Sequence, residues 1–586
     1  MRPPEPLTVS VGKFMKAATW HYTDSRWFLW ALLAPLAVLI LVPLLLLLLN
    51  SFRTISIGEI GFGLSGLTLD NFARAYGDPR TYGMLRDSFV FAFGSMLVAS
   101  IFGGTIAFLV ERTNVPLRNT AYSLMLIPLI MPSVLKGIAW ILLLSPRIGL
   151  LNSLAAYLGA DRPIFNPYNI YSMAWVEGIS MAPLTFLLLG GVLRRMDPSL
   201  EEASLAAGAS QFKTITSVTL RLIMPAIAGV GILQLVRGLE AFEVPALMGL
   251  RSGVIVFSTN IYLAVREHFP PDYGLGFAYS MALVVFTLLG LFLYQKSISR
   301  AERYTTITGK GFRPRLIDLG KWRLVCLSFI LFYFVAAVLL PFVILLWASF
   351  LPFYRPPALK LIPKLNLENF RTAFERTDLW PMMQNTVLLA AGTAVVVMLV
   401  SLAISWIVIR LRPRGHGLLD TLAFLPYAMP SIVMGVAIMI LFLSFPNPIY
   451  GTIWILFLAY VVRYLPYGTR FTHAGLVQVH KELEEAAEVS GAGFTSKFFK
   501  ILVPLMLPSL VGGGLYVLIL SVKVMSMAAI LWTPKSIIFS IFIWQLWQEG
   551  SIGELGAVSV VFIGVLTLLT IVSRQFSQQR SMDSVD

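Results

Sequence analysis

Apolar side chains gather into blocks of about 20 residues that recur along the whole chain, separated by shorter stretches rich in charge, Gly and Pro. A block of that length, wound as a helix, crosses a hydrocarbon core of roughly 30 Å. The backbone groups inside such a core must be satisfied within the segment, which a helix does on its own. The blocks predict six spans in the first half, at 28–49, 88–110, 121–144, 170–192, 226–248 and 275–295. Six more follow at 324–350, 385–409, 419–444, 451–466, 508–532 and 555–573. The expected fold is an all-α membrane protein with about 12 transmembrane helices.

Composition agrees: 57% of residues are hydrophobic and only 13% charged, against about 25% charged in soluble domains. The net charge of +15 could suggest a nucleic-acid partner, but its distribution argues otherwise. Between the sixth and seventh spans lie Lys296, Arg300, Arg303, Lys310, Arg313, Arg315, Lys321 and Arg323, opposed only by Glu302 and Asp318. Short basic loops mark the cytoplasmic side. The loops with Arg112 and Arg118, and with Arg410, Arg412 and Arg414, fall on the same side when twelve spans are threaded from a cytoplasmic N-terminus. Both termini are then expected inside. No small-residue cleavage pattern follows a short apolar core near the start, so the first helix is expected to be retained. One cysteine, Cys326, allows neither a disulfide framework nor a cysteine metal site.

The chain contains itself twice. At an offset of 298, Asn71 and Phe72 meet Asn369 and Phe370, Pro128 meets Pro426, and Pro132 and Ser133 meet Pro430 and Ser431. At an offset of 283, Glu201, Glu202 and Ala203 meet Glu484, Glu485 and Ala486, Gly208 meets Gly491, and Pro225 meets Pro508. Copies of six spans each insert with the same orientation, a parallel repeat. The expected units are 1–310 and 311–586.

Between the fourth and fifth spans the sequence predicts a capped helix near 198–208. Asp197 can accept from first-turn amides, Pro198 suits the first helical position, Glu201 and Glu202 favour the positive end, and Gly208 suits a left-handed C-terminal turn. Leu200, Ala203, Ser204 and Ala207 share a small, mildly apolar face suited to a partner's groove. The second copy repeats this near 481–491 with Leu483, Ala486, Ala487 and Ser490 before Gly491. The pattern Glu202-Ala203-Ser204 with Gly208 and then Val218, Thr219 and Leu220, matched by Glu485-Ala486-Ala487 with Gly491, Ile501 and Pro504, resembles the cytoplasmic loop of binding-protein-dependent ABC importer permeases. Arg221 stands where that pattern expects proline.

The resemblance covers nearly the whole chain and implies the type I importer permease fold. It implies that Glu201, Glu202, Ala203, Gly208, Glu484, Glu485, Ala486 and Gly491 dock two copies of a separate ABC ATPase subunit, which would hold ATP and Mg. It further implies an extracytoplasmic solute-binding protein, one copy of this chain per transporter, and a bacterial inner membrane. The chain itself has no phosphate-binding loop: Gly309-Lys310-Gly311 lacks the upstream glycine and the hydroxyl residue. No catalytic role and no cofactor is therefore expected here. The fused two-copy layout and the segment 241–249 resemble ferric iron permeases; phosphonate, hexose phosphate, thiamine, polyamine and sulfate stay open as substrates, as does a 12-helix secondary transporter.

Charges inside spans are costly and point to a pathway or a partner. Glu177, Arg237, Glu240, Glu243 and Lys523 qualify. Glu240 and Lys523 are equivalent at the 283 offset, which suggests a gate pair across the two copies. The scattered methionines are expected to pack rather than bind metal. His268, His416, His473 and His480 fall in expected loops or their edges without metal-ligand spacing, so no metal site is predicted.

Overall fold

The computed structural model describes residues 11–54, 60–302, 316–445 and 448–582. The expected boundary at 310/311 and most of the basic loop before it lie outside them. Among the described residues nine helices are long and apolar enough to cross a membrane, or up to twelve if three sharply bent helix pairs each count as one span. No β-strand pairs into a sheet there; isolated bridges join Arg53 to Leu67 and Thr113 to Ile317.

The two offsets hold element by element. Helices Ile170–Arg195 and Ile453–Gln478 differ by 283 at both ends, as do Leu220–Glu240 and Val503–Lys523. At 298, the short helices Asp70–Gly77 and Glu368–Glu375 do the same work. Asn71 donates to the carbonyls of Ser51 (3.1 Å) and Arg53 (2.7 Å), and Asn369 to those of Ser349 (3.0 Å) and Leu351 (2.7 Å). Each asparagine ties a loop to the end of its copy's first helix. Those first helices bridge the copies: Val11–Ser51 lies against Tyr273–Glu302 of its own copy and Ser431–Leu443 of the other, and Leu340–Ser349 against Ile552–Met582 of its own and Ser133–Leu144 of the other. Tyr354 accordingly donates across the copies to the Leu142 carbonyl at 2.9 Å.

Four expected spans take a different course. The blocks 121–144 and 419–444 are not straight: Arg118–Leu129 and Ser133–Leu144 meet at 96°, and His416–Ala428 and Ser431–Leu443 at 113°. Pro132 and Pro430 have no N–H to give the preceding turn and their rings clash with it, so each helix breaks there. Hydropathy is continuous through the break and does not reveal it. The blocks 226–248 and 508–532 end early, at Glu240 and Lys523, where Ala241 and Val524 turn extended. Beyond the first stop the apolar run continues as a second bent pair, Pro245–Ser252 with Phe257–Glu267, at 84°. The block 451–466 is instead extended, to Gln478, which places His473 inside a helix rather than at a loop edge. Arg221 in place of proline changes nothing local: a π-turn at Ile215–Thr219 and another at Phe498–Leu502 occupy the same place in both copies.

Candidate functional site

Two short helices of eight residues each, Ser199–Ala206 and Glu482–Val489, lie against Arg112 and Arg410 at the basic loops. Asp197 accepts from the Ser199 amide at 2.9 Å, the cap its position predicts. Gly208 and Gly491 have φ of +84° and +82°, a left-handed turn that costs glycine nothing. Glu202, Ala203, Glu485, Ala486 and both glycines are exposed.

Glu201 and Glu484 are not. Both were expected to face a partner, and both turn inward. Glu201 is ion-paired with the fully buried Arg112 at the end of helix Thr105–Arg112 and accepts from the Thr219 hydroxyl at 2.6 Å. Glu484 meets Arg410 at 3.1 Å and accepts from the Trp406 indole at 2.8 Å. Arg112 and Arg410 are themselves equivalent at the 298 offset. The same pair thus forms twice, fastening each surface helix to the end of its copy's second span. Successive helical residues point about 100° apart, so a Glu-Glu step splits into one outward and one inward carboxylate. The signal available in sequence was the coincidence of both offsets on these four residues.

The predicted charges inside the spans converge on the boundary between the copies. Glu177, 9% exposed, lies within electrostatic range of Glu243, Arg237 and a residue absent from the prediction, Lys136, which is 4% exposed and in turn faces Lys523. Glu240 and Lys523 do not pair with each other. Lys523 donates to the Leu129 carbonyl in the opposite copy. Glu240 meets Arg463 of the opposite copy at 3.8 Å, and Arg463 donates to the carbonyls of Pro426 (3.1 Å) and Met429 (2.7 Å). These carbonyls belong to the two proline bends, where a helix C-terminus leaves acceptors unpaired. Each bend is therefore capped by a cation, directly or indirectly held from the other copy. Glu243 accepts from the amides of Met525 and Ser526, both at 3.3 Å, at the positive end of helix Ser526–Leu531. Beyond this layer, Phe242 stacks on Trp544 with centroids 6.0 Å apart, and Arg266 covers Trp532 at 5.8 Å. Among the described residues no group of three His, Cys, Asp or Glu side chains could hold a metal ion.

A family model described as the inner membrane component of binding-protein-dependent transport systems matches residues 99–303 and 400–581, one segment in each copy. The chain belongs to that family. This transport component is 27% identical over 421 residues, 71% of its length, to the ferric transport system permease protein FbpB of Actinobacillus pleuropneumoniae, and spans 59% of that protein. It is 22% identical over 470 residues to the Fe(3+)-transport system permease protein FbpB 2 of Haemophilus influenzae, covering 80% of this chain and 84% of the other. A solved bacterial alginate ABC transporter, in complex with alginate pentasaccharide-bound periplasmic protein, has a chain that overlaps half of this one and 99% of itself, at 20% identity and a TM-score of 0.39.

Proposed function

We propose that this family member is the transmembrane permease subunit of an ATP-driven importer, carrying two halves of the translocation pathway in one chain, with the ATPase supplied by two separate subunits. The observation that carries the reading is the paired surface helix, fastened to the membrane bundle by the same Arg–Glu pair in both copies. A helix that only bridged two spans would need neither an exposed small-residue face nor a rigid link to a neighbouring span. Here the exposed Glu202, Ala203 and Gly208, with Glu485, Ala486 and Gly491, form two equivalent contact surfaces. The buried glutamates transmit any displacement of those surfaces to the second and eighth spans.

In this reading the face with the docking helices is cytoplasmic, both termini lie on that side, and the membrane is a bacterial inner membrane. An extracytoplasmic binding protein delivers the solute, and closure of the ATPases draws the docking helices together and opens the opposite face. The curated relatives named for ferric transport support ferric iron as the cargo. Affinity purification of the detergent-solubilised chain from its own cells, with mass spectrometry of what accompanies it, tests the reading. An ATPase retained by the unaltered chain and released by Glu202→Lys with Glu485→Lys supports it. No ATPase with either chain turns the reading to a secondary carrier.

A further inference from the structure

Where two copies of one fold carry different residues at equivalent positions, the fold itself does not require the difference. The second copy places Phe424, Tyr427, Tyr467, Arg470, Phe471 and Tyr516 around a cavity of about 670 Å³. By the two offsets, the first copy has Leu126, Leu129, Leu184, Leu187, Leu188 and Leu233 at those six positions. The same helices therefore pack with leucine throughout. Leucine meets the packing needs of these positions in the first copy, so the hydroxyls and the guanidinium, with Arg470 and Tyr516 exposed, serve something other than packing in the second.

The aromatic groups form one continuous wall. Phe424 stacks on Tyr427 with centroids 5.2 Å apart, Tyr427 meets Tyr467 at 5.9 Å, Tyr467 meets Tyr516 at 6.1 Å, and Tyr516 meets Phe471 at 5.6 Å. Arg470 lies over the Phe424 ring at 4.7 Å and makes no ion pair among the described residues. The hydroxyls of Tyr467 and Tyr516, and of Tyr294 from the first copy, have no hydrogen-bond partner there either, although all three side chains line the cavity. Behind the wall Arg237 lies within electrostatic range of Tyr467, Tyr427 and Glu240, and Arg463 faces Glu240. Three guanidiniums against one carboxylate leave the region positive, with free donors and flat apolar faces turned into a space of ligand size.

We propose that this one-sided cavity binds a small carboxylate-bearing anion, either free or as the coordinating shell of a metal ion. Guanidinium and phenol donors match carboxylate oxygens, Arg470 in the planar two-point geometry that arginine offers, and the rings contact the carbon skeleton. That the cavity is a station on the transport route rests on the importer reading; that it binds the anion does not.

The test is equilibrium binding of radiolabelled citrate, and separately of ferric citrate, to the full purified chain in detergent. Tyr467→Leu and Arg470→Leu install the residues that the first copy already tolerates, so the variants are expected to fold, and their elution profile and retained ATPase check that they do. Saturable binding of either probe is expected, weakened about tenfold or more in the double variant through loss of a charge-assisted and a neutral hydrogen bond. Binding of both probes assigns the free anion, and binding of ferric citrate alone assigns the metal's shell. If neither probe binds the wild-type chain while the ATPase is retained, the site is refuted and the importer reading stands. Unchanged affinity in the folded double variant refutes the site equally. Binding without any ATPase keeps the site and overturns the importer.

Discussion

Glu201→Ala isolates the consequence of burying a cation whose partner is lost. Arg112 is fully buried, and its Nε and Nη1 have no hydrogen-bond partner. Once Glu201 is gone, nothing compensates the charge, and breaking a buried pair from one side costs about 3–5 kcal/mol. The equivalent Glu484→Ala is milder. Arg410 still donates to the Leu476 carbonyl at 3.1 Å and to the Val479 carbonyl, and its side chain keeps 14% exposure. Arg410 Nε, which has no hydrogen-bond partner, loses its ion pair while Nη2 stays bonded, and a partly compensated loss of this kind costs about 1.5–3 kcal/mol.

The quantity to follow is amide hydrogen exchange, by mass spectrometry of the full chain in detergent, in peptides covering 199–208 and 482–491. Exchange through local opening follows the free energy of that opening. Glu201→Ala should therefore accelerate its helix by about two to three orders of magnitude, and Glu484→Ala by about one to two. Glu202→Ala, at an exposed position, should stay within about twofold. Replacing both partners, Arg112→Met with Glu201→Leu, should restore most of the protection, since a packed apolar pair carries no unpaired charge. Equal acceleration in the two copies, or a larger effect at Glu484, would show that these carboxylates do not anchor the helices as described.

Gly208→Ala and Gly491→Ala each place a side chain at φ near +83° and should cost about 1–2 kcal/mol, seen as faster exchange confined to the neighbouring helix end. Arg463→Met removes the cap of the Met429 carbonyl and leaves Glu240 to Arg237 alone; the thermal midpoint in detergent should fall as for the loss of one charge-assisted hydrogen bond, about 1.5–3 kcal/mol. Ser180→Ala at the equivalent position, where the hydroxyl only bonds back to the Val176 carbonyl at 2.9 Å, should leave that midpoint nearly unmoved. Asp318 accepts from the Gly320 amide, Asn114 and Arg323, which hold its carboxyl down at about 2. Because the folded value is depressed, its contribution is complete above the ordinary aspartate value of about 3.9 and fades as pH falls toward 2. Asp318→Asn should thus melt below wild type at pH 7, with the gap narrowing only below about pH 4.

The straight spans and the duplication were legible because both rest on patterns that survive without tertiary information: block hydropathy and a constant residue offset. The surface helices were legible because capping is local, from Asp197 at one end to Gly208 at the other. The bends were not. Pro132 and Pro430 break their helices inside runs that stay apolar on both sides, and a proline in a membrane helix also occurs without a break, as Pro183 does in Ile170–Arg195. Lys136 was overlooked in the same block, since one cation does not interrupt a hydropathy window. The partners of Glu240 and Lys523 needed three dimensions: equivalence under the repeat suggested that the two form a gate or cross-interface pair, whereas each reaches for the other copy's bend instead.

That last relation ties the two copies together at their bends. A broken helix leaves carbonyls that water satisfies at a surface and nothing satisfies in hydrocarbon. In the first bend the Leu129 carbonyl is met by Lys523, which stands on the opposite copy. In the second the cap is Arg463, on its own copy, and the opposite copy supplies Glu240 to balance it. The first bend is thus finished only while the copies stay together, and the second keeps the counter-charge of its cap only then. Drawing them apart exposes acceptors on one side and charges on the other, which only water or a charged solute could satisfy. In the importer reading proposed above, the boundary is held by polar groups that a passing ion can replace, where an apolar seal would offer it no partners. A pathway built this way would open most readily when something polar is there to enter.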